Sequence, residues 1–283
     1  MSRERNHPAM THSGPPAIAD HQVGGYRAFA PPDDLAFAVE AAWTHYAATD
    51  DVRHRVVPDP AISLCYMGAG EQRLSLIGPV AHARIFEPGA GHRMAAVRLK
   101  LEHCRALLGV DPHEHEDATD AYAEVLQRVA GPLEDRLHRS RTSAEALGIL
   151  IDFVRARVAA SSSARASWVV RTGMEMLRAQ PTEIRVAAMS ARLGVSDRHL
   201  RRTIAAETGI SPRRFARVQR FHALLREVDA TPHPAWAMLA AGHGYADQSH
   251  LIHEVQELAG VSPARLLEER RAEPRAPIAE ATG

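Results

Sequence analysis

"IRVAAMSARLGVSDRHLRRTIAAETGISP", residues 184–212, places two short apolar-periodic segments on either side of a glycine. Val186 to Leu193 reads as a helix ended by Gly194, because glycine enters the left-handed conformation that closes a helix without a Cβ clash. Ser196 then caps a second helix and Asp197 sits in its first turn, where free amides and the helix dipole favour an acceptor and a negative charge. Two short helices joined by a tight glycine turn, the second with an arginine-rich outer face, form a helix-turn-helix pattern.

The same grammar returns about 50 residues later. A helix from about Pro234 to Ala241 leads into the turn Gly242-His243-Gly244-Tyr245, and a helix from Asp247 is closed by Gly260. Both units end alike, in "TGISP" (208–212) and "AGVSP" (259–263), which marks an internal duplication. Between them "RRFARVQRFHALLREV" puts Phe215, Val218, His222 and Leu225 at helical spacing, a long helix suited to joining two modules rigidly. Tyr245 and Trp236 are expected in the core.

These residues resemble the AraC/XylS family of bacterial transcription regulators. The matching text runs from Ile184 to about Leu267, with the spacing, both Ser-Pro endings and "GYADQSH" (244–250) in register. The resemblance implies that the second helix of each unit enters a major groove, the two insertions lying about one DNA turn, roughly 34 Å, apart on one face. Carried over by position, the first helix offers Arg198, His199, Arg201 and Arg202, with Ser196 at its cap, while Leu200 and Ile204 face the core. The second offers Gln248, Ser249, His250 and His253, with Leu251 and Val255 inward. Arginine grips guanine O6/N7 and glutamine reads adenine N6/N7, each good pair discriminating by about 1–3 kcal/mol. The sequence departs from the family at His253, where arginine is common, at Gln256, where a basic residue is common, and at Val255, where phenylalanine is common.

Two plainer readings stand beside this one. Arg201-Arg202 is also the pattern of an ordinary solvated helix face, and Gln248, Ser249 and His250 also suit a capping cluster that satisfies free N–H groups at a helix start. Local charge favours the first unit as the electrostatic anchor. Arg185 to Arg226 contains 10 arginines against two acids, a net of +8; Glu227 to Arg271 contains three against seven, a net of −4. Phosphate neutralisation dominates DNA affinity, so the first unit and linker helix are expected to supply it. The acidic second unit is expected to be the poorer binder of the pair.

The full chain of 283 residues is 45% hydrophobic, enough for two domains. Residues 33–46, "DDLAFAVEAAWTHY", put Leu35, Val39 and Trp43 on one helical face behind an acidic start and predict an entry helix. Short apolar runs follow: "HRVV", "ISLCYM", "RLSLIG", "ARIF" and "AAVRLKL", separated by "PDP", "GAGEQ" and "EPGAGH". They predict a small antiparallel sheet or barrel over 52–101. "EHCRALLGV" is helical, and Tyr122 to Leu137 carries an apolar stripe that Gly131-Pro132 is expected to break. Leu147, Leu150, Ile151, Val154 and Val158 form another stripe, which either closes over the sheet or pairs with a second subunit. Residues 26–155 resemble, more loosely, the sensor region of some such regulators.

The fold class is therefore α+β: a small antiparallel sheet with flanking helices, then an all-α half with two helix-turn-helix units and a linker helix. The expected boundaries are a disordered tail at 1–25, a sensor and dimerisation domain at 26–158, a linker at 159–167, a DNA-binding domain at 168–271 and a second tail at 272–283. The expected partner is double-stranded promoter DNA, with RNA polymerase, a small-molecule effector and a second copy of the chain as further candidates. No signal peptide or run of about 18 apolar residues is present, so a cytoplasmic protein is expected. Cys65 and Cys104 are too few for a disulfide framework and suit a reducing compartment; both read as buried structural thiols, with redox sensing as the alternative for Cys65. Lysine occurs once, at Lys100, a bias that suits phosphate contact but that GC-rich coding explains more plainly.

Two rivals remain open at this stage. An enzyme or metal-binding protein with a vestigial helical tail would work around His54, His82, His92 and the "DPHEHED" cluster of 111–117, which places His113 and His115 among carboxylates. A protein-interaction module on the same scaffold would bind DNA feebly and with little salt dependence. Neither a nucleophile elbow, a P-loop nor a dinucleotide motif is present, and no catalytic residue, cofactor or metal is expected.

Overall fold

The computed structural model describes residues 25–47, 53–68, 73–110, 123–161, 166–180 and 185–272. Seven strands come first: β1 (Tyr26–Phe29), β2 (Val39–Tyr46), β3 (His54–Val56), β4 (Ile62–Gly68), β5 (Arg73–Ile77), β6 (Arg84–Phe86) and β7 (Arg93–Leu99). Five form an antiparallel sheet in the order β1-β2-β7-β4-β5, and β3 pairs with β6 as a separate ribbon. The period-2 alternation gives this sheet two faces. Leu64, Tyr66, Leu74, Leu76, Ala95 and Val97 point to one, and Cys65, Met94 and Ala96, with Trp43, Met67, Ile77 and Phe86 against them, point to the other.

The expected helix over 33–46 is not formed. Asp33 to Ala38 makes successive turns, in which the Val39 amide donates to the Leu35 carbonyl at 2.8 Å, and the chain then enters β2. A register shift between Val39 and Ala41 parts the residues that the helical reading put on one face. The irregularity returns Val39 and Ala42 to the same face beside Leu35, whereas Trp43 falls on the opposite face.

Helices α1 (Leu101–Leu108), α2 (Ala123–His138) and α3 (Ser143–Ala160) close the first face. The break expected at Gly131-Pro132 does not occur, and α2 runs through Pro132. A proline inside a helix costs about 3 kcal/mol. Burial of Leu133 and Leu137 directly after it offsets that, at roughly 1.5–3 kcal/mol per leucine. Thr142 caps α3, and its stripe of Leu147, Leu150, Ile151 and Val154 is buried, with α3 packed against β7 and β2. The stripe is thus used within the chain.

The second half is helical: α4 (Trp168–Ala179), α5 (Val186–Arg192), α6 (Asp197–Thr208), α7 (Pro212–Ala230), α8 (Trp236–Gly242), α9 (Gln248–Ala259) and α10 (Pro263–Ala272). Two cores share α7. The larger joins the sheet face, α1 and α3 to Val170 and Met174 of α4, Met189 of α5, Leu200 and Ile204 of α6 and Phe215 of α7. The smaller begins at Phe221 and gathers Leu225, Leu239, Tyr245, Leu251, Val255 and Leu266. One core therefore spans the N-terminal half and the first helix-turn-helix unit, and the second unit has its own.

Helix α3 reaches Ala160, Ser161 Oγ donates to the Ala106 carbonyl at 3.1 Å, and Ser167 caps α4. Residues 162–165 of the expected linker, the "DPHEHED" segment and nearly all of both expected tails lie outside the described residues. Cys65 and Cys104 are fully buried; burial pushes the Cys65 thiol up to about 12 and raises that of Cys104 further, which suits structural thiols.

Candidate nucleic-acid interface

The duplication is visible atom by atom. In the first turn Gly194 has φ 64°, its amide donates to the Ala191 carbonyl at 3.3 Å, and the Val195 amide donates to Ser190 at 3.0 Å. In the second turn Gly244 has φ 70°, its amide donates to Ala241 at 3.3 Å, and the Tyr245 amide donates to Ala240 at 2.9 Å. Positive φ is why both positions are glycine. Each second helix then closes on a left-handed glycine, Gly209 or Gly260. Ser211 and Ser262 accept the next helix's amides, from Arg214 and Arg265, at 3.3 Å each.

The caps separate structural from outward-facing residues. Ser196 Oγ accepts from the His199 amide at 3.2 Å, so this site candidate has a defined structural task. In the second unit Asp247 Oδ1 accepts from the His250 amide at 2.7 Å, and His250 Nδ1 accepts from the Ala246 amide at 3.1 Å. Capping is thus performed by Asp247 and His250. Gln248 and Ser249 make no capping bond, and both are exposed.

On α6, Leu200 and Ile204 are wholly buried, while Arg198, Arg201 and Arg202 are exposed and His199 is half-buried near Thr203. On α9, Leu251 and Val255 are buried and Gln248, Ser249, His250 and His253 are exposed. The structure therefore brings the candidates onto the outer faces of two equivalent helices. Among the described residues Arg198, Arg201 and Arg202 have no ion-pair partner.

The charge count changes meaning once the fold is known. Glu254 is buried and does not face solvent. Its carboxylate accepts from Arg217 Nε at 3.2 Å and from Arg220 Nη2 at 2.8 Å. Arg217 also bridges to Glu257, and the Arg217 guanidinium holds the Glu257 carboxyl below its ordinary range. The Arg220 guanidinium lies 4.6 Å over the Tyr245 ring, which meets the His250 ring edge-on at 5.4 Å. Two arginines credited to the linker helix are thus spent on the second unit's acids. Sequence periodicity missed this network, because nothing local pairs α7 with α9.

Contacts with the N-terminal half were also illegible in the sequence. Arg178 of α4 and Glu102 of α1 form a bidentate pair at 2.6 and 2.7 Å, with the Glu102 side chain 2% exposed. Nε2 of buried His222 on α7 donates to the Pro58 carbonyl at 2.7 Å. A cleft of about 250 Å³ lies between the loop at Pro79 to His82 and Arg214, Arg217 and Leu258. His54 stacks edge-on against His45, His82 lines the cleft, and His92 Nδ1 pairs with the Gly89 carbonyl. Among the described residues, no group of three or more His, Cys, Asp or Glu is placed to hold a metal ion. No helix of the described residues is long and apolar enough to cross a membrane.

Residues 189–269 match a family model described as a helix-turn-helix domain. Among solved structures, the C-terminal domain of AraT, a response regulator from Geobacillus stearothermophilus, is similar at 24% identity, covering 41% of this chain and 93% of that one with a TM-score of 0.34. ToxT from Vibrio cholerae is similar at 9% identity, covering 87% of this chain and 98% of that one with a TM-score of 0.42. No curated protein matches the chain. The chain therefore carries, in residues 189–269, a helix-turn-helix domain, a motif whose second helix docks on DNA.

Proposed function

We propose that the chain is a sequence-specific transcription regulator whose helices α6 and α9 enter successive major grooves on one face of promoter DNA, about 34 Å apart. The observation that supports this most directly is the division of labour at the two helix starts. Asp247 and Ser196 satisfy the backbone, which leaves Gln248, Ser249, Arg198, Arg201 and Arg202 turned outward. Arg198, Arg201 and Arg202 supply most of the affinity, and Gln248, Ser249 and His253 contribute base contacts at the second groove.

The test is binding of the full chain to DNA from upstream of its own gene over a range of salt. Log affinity falls steeply and linearly with log salt, because bound phosphates release counterions. Replacing Arg198, Arg201 and Arg202 together by Ala weakens binding and flattens that slope. Unchanged affinity in the triple variant contradicts the assignment.

Control by a small-molecule effector of the N-terminal half is the second part of the proposal. The cleft suits it, because a molecule seated there touches the sensor loop, α7 and α9 together. Deleting the N-terminal half would strip the shared core from α4 and α6, so the test keeps the chain whole. Filling the cleft with Ala81→Trp changes DNA affinity at an unchanged thermal midpoint; unchanged affinity argues against control through this seam.

A further inference from the structure

The N-terminal half holds the two helix-turn-helix units in physically different ways. The first unit shares its apolar core and is tied by the buried Glu102–Arg178 pair. Separating these would expose apolar surface and two charges, so the first unit is fixed. The second unit has its own core and is met by a short segment, Arg55 to Pro58, at the end of the β3–β6 ribbon. Val57 packs against the edge of that core, and Pro58 receives the His222 hydrogen bond.

Arg55 makes the most directed of these contacts. Its Nε and Nη2 donate to the two carboxylate oxygens of Glu269 on α10 at 2.6 and 3.2 Å, and its Nη1 donates to the Ala259 carbonyl at 3.2 Å. Ala259 is the last residue of α9, so the guanidinium sits at the negative end of the recognition helix dipole. Gly260 follows, and a Cβ built there would lie 3.9 Å from Arg55 Nη1. The side chains of Arg55 and Glu269 are 17% and 19% exposed, which shields the pair from water without burying it. The Arg55 hydrogen bond is the foremost cause that holds the Glu269 carboxyl below its ordinary range. A planar fork that bonds two helices at once fixes orientation as well as distance.

We propose that Arg55 is a positioning residue through which the N-terminal half sets the orientation of the second recognition helix against the first. The proposal rests on the DNA reading above. Movement of the β3–β6 ribbon passes through Arg55 to the C-terminal end of α9, while the first unit stays in place.

The experiment uses the full chain and three DNA duplexes from its own upstream region: intact, with the second half-site scrambled, and with the first scrambled. The wild-type chain prefers intact DNA over the second-scrambled duplex by at least about tenfold, the worth of one good base pair contact. Arg55→Ala brings that ratio close to one and leaves binding to the second-scrambled duplex unchanged. Arg55→Lys does not restore the ratio, and the exchange Arg55→Glu with Glu269→Arg restores it in part. An unchanged ratio in Arg55→Ala overturns the proposal, as does an equal loss on all three duplexes, which would mark the contact as merely structural. A wild-type chain indifferent to both half-sites overturns the DNA reading itself.

Discussion

Asp247 decides how the polar start of α9 is understood. A side chain that caps is spent on its own helix, and here Asp247 takes the His250 amide while Gln248 and Ser249 stay outside. Asp247→Ala should therefore lower stability by about 0.5–2 kcal/mol in urea unfolding. Gln248→Ala should leave the unfolding midpoint alone and weaken DNA binding by about 1–3 kcal/mol. The two variants separate capping from recognition, and a stability loss in Gln248→Ala would merge them again. Glu254 makes the opposite point. In sequence it is one of the acids that make the second unit look hostile to phosphate, yet it lies buried against Arg217 and Arg220. Removing it takes the carboxylate from Arg220 and leaves Arg217 with Glu257 alone, so Glu254→Ala should destabilise the chain by about 1–3 kcal/mol and fail to tighten DNA binding. Tighter binding at unchanged stability would show that the charge reaches the DNA after all.

At the scale of elements, signals that repeat along the chain were legible and contacts across it were not. Strands β3 to β7 announced themselves because apolar runs alternate with Gly and Pro turns, and α5 to α9 because caps and closing glycines occur at matching places in two copies. Strand β2 misled because a spacing of four, as from Leu35 to Val39 and Trp43, suits one face of a regular strand as well as of a helix, and α2 misled because tertiary burial of Leu133 and Leu137 outweighs the proline. For the interface, outward residues follow from helix periodicity once Leu200, Ile204, Leu251 and Val255 point inward. The Glu254 network, Arg55 and the Glu102–Arg178 pair join residues far apart in sequence, and one sequence holds no record of such pairings. Glu102→Gln should consequently cost stability by more than an exposed ion pair would, at least about 1 kcal/mol in urea unfolding.

Among the described residues the two larger cores meet on α7, with His222 at the seam between them and the sheet. Burial lowers the His222 pKa to about 3 and the neighbouring Arg98 charge adds to this, so the folded chain holds the ring neutral. A histidine depressed from 6.5 contributes stability that is present above about 6.5 and lost as pH falls toward 3. Asp59, raised to about 6 chiefly by burial, acts oppositely, favouring the fold as pH drops through 6. His222→Gln should thus flatten the acid side of the stability profile relative to wild type, as thermal midpoints from pH 7 to pH 4 would show, and a parallel profile would remove His222 from the account. The central claim, that both second helices enter DNA, is tested most directly by hydroxyl-radical footprinting of the full chain on its own upstream DNA. Two protected patches on one face, one turn or about 10 base pairs apart, are predicted. A single patch, or uniform protection without sequence preference, would contradict it.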